Sequence, residues 1–186
     1  METFIGSIRV VVASMAICVG GYTALILGFA QAVTPETAAG SLVKRENGLV
    51  IGSRLVAQPF EGDIYFWARP SAVGYDAAGA GGSNKSPTSH ALRERARDLI
   101  QRHRATAERP LPAELAAASG AGLDPHLTVR AAVYQAPRVA RARGIAETEV
   151  RGLIERASFA TGGGLAPDRL VNVLELNLML DSLSGH

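Results

Sequence analysis

Residues 10 to 30 run from Val10 to Ala30 without one charged side chain. At about 1.5 Å of rise per residue, roughly 21 helical residues reach about 30 Å, the thickness of a bilayer's hydrocarbon core. The rest of the chain has no comparable run. This predicts a single N-terminal transmembrane helix followed by a mixed α/β soluble domain, a short β-hairpin sheet with several helices. The boundaries are an anchor over 1–32, a linker over 33–40 and the soluble domain over 41–186. A remainder of about 150 residues is long enough to bury a core of its own.

A cleaved secretory signal is the rival reading of the first segment, because Ala30-Gln31-Ala32 resembles an A-x-A cleavage site. The apolar run is roughly twice the 7–15 residues of a signal's apolar region, and Arg9 is opposed by Glu2, so an uncleaved anchor is the better reading. Gly20-Gly21 marks the place where a second helix can approach closely. The flanking charges, Arg9 on one side and Lys44 with Arg45 on the other, do not set the orientation.

The soluble part carries few signs of independent chemistry. The net charge is +2, which gives no strong preference for nucleic acid. Cys18 is the single cysteine and lies in the apolar run, so neither an intramolecular disulfide nor a C-x-x-C site exists. None of the four histidines, His90, His103, His126 and His186, has a partner at metal-site spacing, and no metal is expected. Gly79-Ala-Gly-Gly-Ser-Asn-Lys85-Ser86 is close to a phosphate loop. Asn84 stands where its second glycine belongs, and Pro87 follows where the helix needs free N–H groups. No serine has nucleophile-elbow surroundings. Asp124 and His126 together are the best acid/base pair for a membrane-anchored hydrolase, against the plainer reading that Asp124 caps backbone amides in a rigid loop.

Local signals place the elements. Glu46-Asn47-Gly48 between two short β runs predicts a hairpin with a type I′ turn. Asp63 to Ala68 is dense in aromatics and predicts a third strand. Residues 74–87 and 119–127 are glycine-rich loops. A helix begins near Thr88 or Ser89 and runs to about His103. Its arginine-rich side is either a solvated face or a surface for an acidic partner. Thr128 caps a helix that ends at Gly144, with a kink or break at Pro137. Another helix covers about 147–157, Gly162-Gly163-Gly164 forms a joint, and 171–178 is a short strand leading into a helix. Asn172 and Glu175 have the spacing of a capping box. Gln135 and Arg138, one turn apart, can together meet a carboxylate, a phosphate or a partner's backbone.

The blocks together resemble a known family. They are Gly48-Leu-Val-Ile-Gly-Ser53, Tyr65-Phe66, Arg69-Pro-Ser-Ala72, Gly74-Tyr75 and Gly81-Gly-Ser-Asn84. Then come Ser119-Gly-Ala-Gly-Leu-Asp-Pro-His126, Gln135 with Arg138-Val-Ala140, Ala142-Arg-Gly144, Val171-Asn-Val-Leu174 and Leu176-Asn-Leu178. In this order they resemble the C subunit of the Kdp-type potassium-transporting ATPase. The departures are Lys85-Ser86, where the family has an apolar residue and a glycine, and Ala117, where it tends to carry threonine.

The resemblance implies a non-catalytic accessory subunit in the inner membrane, with its soluble domain outside the cytoplasm. Its partners would be a channel-like potassium-binding subunit, a P-type ATPase subunit that hydrolyses ATP, and a small single-helix subunit. It implies a part in assembly and in raising the ATPase subunit's affinity for ATP, with no cofactor of its own and ATP met only through the complex. The glutamine matching Gln135, with Arg138 beside it, is the implied ATP contact in the alternative where the chain is a direct nucleotide-binding regulator. Arg69, Ser83, Asn84, Gly122, Asp124 and His126 are the implied partner-facing or structural loop residues, and Gly20 and Gly21 the membrane contact.

Overall fold

The structure, a computed structural model, describes residues 1–162 and 168–184. It divides into two compact units, Met1–Ile51 and Gly52–His186.

The first unit is dominated by a continuous helical rod over Glu2–Val33, apolar enough to cross a membrane and with none of its residues buried. It consists of α1 (Glu2–Met15), a π-helical segment (Ala16–Gly21) and α2 (Tyr22–Val33). Gly20 and Gly21 lie in the π-helical segment. The helix ends at Thr34, whose hydroxyl bonds back to the Ala30 carbonyl, and Pro35 opens the single turn α3 (Pro35–Ala38). β1 (Leu42–Lys44) then pairs with β2 (Val50–Ser53). The hairpin forms as expected, but its turn is not type I′. Gly48 takes a positive φ of 79° and Asn47 does not. Instead Gly48 N bonds to Arg45 O and Arg45 N to Leu49 O. This is a three-residue loop in which glycine alone occupies the left-handed position, and the Asn47 side chain accepts from Leu49 N.

In the second unit, α4 (His90–Arg102) and the short α5 (Ala113–Ala116) precede β3 (His126–Thr128). Then follow α6 (Val129–Arg143), α7 (Glu147–Ala157), β4 (Phe159–Ala160), β5 (Arg169–Asn172) and α8 (Val173–Ser184). β5 is the middle strand of an antiparallel sheet in the order β3-β5-β4, with Leu127 opposite Val171 and Phe159 opposite Leu170. The core forms where Ala131, Ala132, Ala136, Val139 and Ala140 of α6 meet Val150, Leu153 and Ile154 of α7 and Val173, Leu176 and Leu180 of α8. The alanines let α6 sit deep in this core. Its start is fixed by Thr128, whose hydroxyl accepts from Ala131 N and is itself held by Glu114 of α5. Its end is fixed by Gly144 at φ 67°.

Two sequence expectations are corrected. Of the kink or break expected at Pro137, the break does not occur: α6 is continuous from Val129 to Arg143, with Ala136 and Val139 buried on either side of the proline. Asp63 to Ala68 is not a strand: the segment has no ladder partner, and helix side chains bond its backbone instead. The expected strand-to-helix passage over 171–178 is present as β5 and α8. Residues 163 and 164 of the expected glycine joint lie outside the described residues.

Candidate functional site

The segment from Asp63 to Arg69 lies at the centre of a polar network made by three helices. Gln135 of α6, 1% exposed, accepts from Trp67 N and returns a bond to Trp67 O, each at 3.0 Å. Asn177 of α8 does the same one residue earlier, accepting from Phe66 N at 2.8 Å and donating to Phe66 O at 3.0 Å. A primary amide carries a donor and an acceptor side by side. It therefore satisfies both backbone groups of one extended residue, as a neighbouring strand would. A buried backbone group without a partner would cost about 1–3 kcal/mol, so these amides explain how the backbone of Phe66 and Trp67 is buried without a sheet.

Arg138 extends the network. It donates to Asp63 O at 2.7 Å, to Tyr65 O at 3.0 Å and to Gln135 Oε1 at 2.8 Å. Its guanidinium stacks 3.6 Å from the centre of the Trp67 ring, with Arg102 at 4.1 Å from the same ring. Burial, partly offset by Asp63, pulls the Arg138 pKa down to about 10, which leaves it charged at neutral pH. His103 meets the Trp67 ring edge-on at 5.1 Å. Burial, and then the charges of Arg138 and Arg102, push its pKa down to about 4, so it is neutral. At the end of α6, Arg143 donates to Ile64 O and pairs with Asp181 of α8, both at 2.7 Å.

The two glycine loops pack against each other through their backbones. Gly81 N bonds to Ala121 O at 2.9 Å, and just ahead of the first loop Pro70 O accepts from Ser119 N at 3.1 Å. Gly122 has φ 70°, and a β-carbon on it would meet Val73 Cγ2 at 2.7 Å and Gly81 O at 2.9 Å. Asp124 is shared between Arg69 at 3.2 Å and the backbone N–H of His126 at 3.0 Å. The His126 ring nitrogen also lies 3.4 Å from this carboxylate. Hydrogen bonding from the His126 side chain, against the effect of burial, holds the Asp124 carboxyl below the usual range. Asn84 takes a positive φ of 45°.

The structure thus brings Gln135 and Arg138 together, and Arg69, Gly122, Asp124 and His126 together, while Ser83 and Asn84 stand on the facing loop. The stretch 79–86 does not form a phosphate cradle: the Gly81 N–H is used by Ala121, and the next helix starts only at His90, beyond Pro87. No group of three or more potential metal ligands occurs among the described residues. The capping box forms by half. Asn172 accepts from Glu175 N, whereas Glu175 turns to Arg54 at 2.7 Å.

Sequence reasoning assigned no role to Asn177 or Arg143, which it met only within the family blocks, and missed Asp181 and Glu114. The available signal was a polar residue at the centre of an apolar stripe, as in Leu176-Asn177-Leu178. Its partner lies 111 residues away, beyond the reach of local pattern.

Residues 4–182 match the KdpC family, K+-transporting ATPase, c chain. The chain belongs to this family. It is 61% identical over 97% of its length to the potassium-transporting ATPase KdpC subunit of Parvibaculum lavamentivorans, covering 97% of that protein. It is 46% identical to the KdpC subunit of Acidobacterium capsulatum over 88% of its length and 89% of the relative. Against that of Geobacter sulfurreducens it is 44% identical over 90% of both. The matched residues, 4–182, take in most of the apolar helix, both glycine loops, Gln135 and Asn177.

Proposed function

We propose that the chain is a non-catalytic accessory subunit of an ATP-driven, high-affinity potassium import complex. It supports assembly and raises the effective ATP affinity of the ATPase subunit without touching the nucleotide. Potassium binding belongs to a channel-like subunit, hydrolysis to a P-type ATPase subunit, and a small single-helix subunit completes the complex. The apolar helix over Glu2–Val33 is a single-pass inner-membrane anchor, and the domain beyond it is extracytoplasmic.

The observation that carries this reading is the use made of Gln135 and Arg138. The amide of Gln135 is buried and bonded at both ends to Trp67, and Arg138 is occupied by two backbone carbonyls and an indole face. Binding ATP through them would require opening the segment they hold. An effect on ATP affinity is then a coupling energy passed through the partner subunits.

The test is photo-crosslinking of the detergent-solubilised full chain with labelled ATP, beside ATPase assays of the complex with and without it. Expected are no saturable labelling of the chain alone and a lower KM for ATP when it is present. Saturable labelling at micromolar ATP would replace this reading with a direct nucleotide-binding regulator. Protease access in right-side-out vesicles tests the orientation; cleavage from the cytoplasmic face alone would reverse it.

A further inference from the structure

Two clefts lie side by side along α6 and share Arg109 and Pro137 as walls. The first, about 290 Å³, is lined by Asp63, His103, Arg104, Arg138 and Arg141. The second, about 530 Å³, has Leu111, Val133 and Tyr134 as its apolar wall, with Arg130 and Arg151 at its sides. Six arginines therefore border the pair, while the carboxylates that pair with them are Asp63 and Glu147.

Both carboxylates are already engaged. Asp63 is held by Arg104 at 3.0 Å and faces Arg138 at 3.8 Å. Glu147 is held by Arg151 at 2.7 Å. The Arg109 guanidinium donates to a carbonyl, Tyr134 O, stacks 4.4 Å from the centre of the Tyr134 ring and makes no ion pair among the described residues. Arg130 and Arg141 are exposed and make no ion pair among the described residues. Three guanidinium groups thus have no carboxylate partner among the described residues, on a chain whose whole net charge is only +2. Uncompensated cations of one sign along a recessed wall attract an anionic partner and set its register.

The shape narrows the choice. A single small anion would leave the apolar wall of the larger cleft empty. A flat membrane surface would not enter either recess. An extended peptide fits both: its carboxylates reach the guanidiniums, and one apolar side chain covers Leu111, Val133 and Tyr134.

We propose that these paired clefts dock an extended acidic segment of a partner subunit, its carboxylates meeting Arg109, Arg130 and Arg141. The inference rests on the accessory-subunit reading and supplies the chemistry of one contact.

The test uses the full chain co-expressed with the other subunits and recovered through an affinity tag on one of them. Replacing both exposed arginines, R130E/R141E, is expected to lower the co-purified chain at least tenfold, with the fluorescence of Trp67 unchanged. The control R93E/R97E, on α4, makes the same charge change elsewhere and is expected to co-purify as wild type. R130K/R141K is expected to co-purify and, with a carbodiimide, to join covalently to carboxylates of a partner; this arm stands even where the glutamate variant misfolds. Undiminished co-purification of R130E/R141E, equal loss in the control, or lysines that join to nothing would each overturn the proposal and leave the accessory reading intact. Co-purification that depends only on added anionic phospholipid would assign the clefts to headgroups and overturn it as well. If the wild-type chain does not co-purify at all, the accessory reading itself fails.

Discussion

At the scale of single residues, the unusual feature is a buried stretch of backbone, Phe66 and Trp67, completed by side chains. Gln135 and Asn177 each supply the donor and acceptor that a strand would have supplied. Removing one amide leaves two buried backbone groups unpaired, so Gln135→Ala is expected to destabilise the chain by about 2–6 kcal/mol. Trp67 is the only tryptophan and sits on the clamp, so its emission in a urea titration of the detergent-solubilised chain reads the effect directly. An unchanged midpoint would remove the structural role assigned to Gln135. His103 adds a pH dependence. Its folded pKa of about 4 lies below the ordinary 6.5, so between these values the unfolded chain binds a proton that the folded chain refuses. Stability therefore rises with pH across this window and falls as pH drops from 6.5 toward 4. Asp124, held below its usual 3.8, adds a loss of the same sign that begins only at lower pH. His103→Gln is expected to flatten the upper part of the profile, measured as urea midpoints between pH 7.5 and 4.5.

At the scale of elements, much of the second unit is legible in the sequence, for local reasons. Thr128 and Gly144 bracket α6 because a hydroxyl cap and a left-handed glycine are the ends a helix needs. The passage from β5 to α8 is signalled by Asn172, whose side-chain oxygen Oδ1 caps the new helix by accepting from Glu175 N. What is not legible depends on distant partners. The aromatic run from Asp63 to Ala68 has the composition of a strand, but strand composition reports a half-buried extended surface and not the identity of what pairs with it. The same limit applies to the site: Gln135 and Arg138 are recognisable as a pair one turn apart, while their target, the backbone of 63–67, is visible only in three dimensions. The glycine loops lie between these cases, since their glycine content marks an irregular path without showing which glycine is obligatory. The structure separates them. Gly122 has positive φ and would drive a β-carbon into Gly81 O, whereas nothing lies within 4 Å of a β-carbon built on Gly120. The backbone conformation costs about 1–2 kcal/mol and the overpacking about 1–3 kcal/mol. Gly122→Ala is thus expected to lower the urea midpoint clearly, and Gly120→Ala to leave it within error. Equal effects would show that the two loops do not meet as described.

At the scale of the whole molecule, the division between the units makes a prediction about independence. No residue before Ala57 is buried, and the core cluster runs from Phe66 to Leu180. Deleting residues 1–40 therefore removes an apolar surface of the kind that lipid covers, including Phe4, Leu25 and Phe29, and no part of the packed interior. Folding free energy arises mainly from buried apolar area, so the shortened chain is expected to keep the Trp67 emission and the urea midpoint of the full chain in detergent. Solubility is expected to change in the opposite sense: the full chain enters the detergent phase in a cloud-point partition, and the shortened one stays in the aqueous phase. The two measurements separate two dependences that a failure of expression would confuse. A shortened chain that is aqueous yet unfolded would show that the domain needs the membrane or its partners to hold its shape. One that is folded yet partitions into detergent would reveal a second apolar surface on the domain itself. With both expectations met, the amide clamp at Trp67 and the arginine clefts along α6 become open to titration in water, free of the apolar helix.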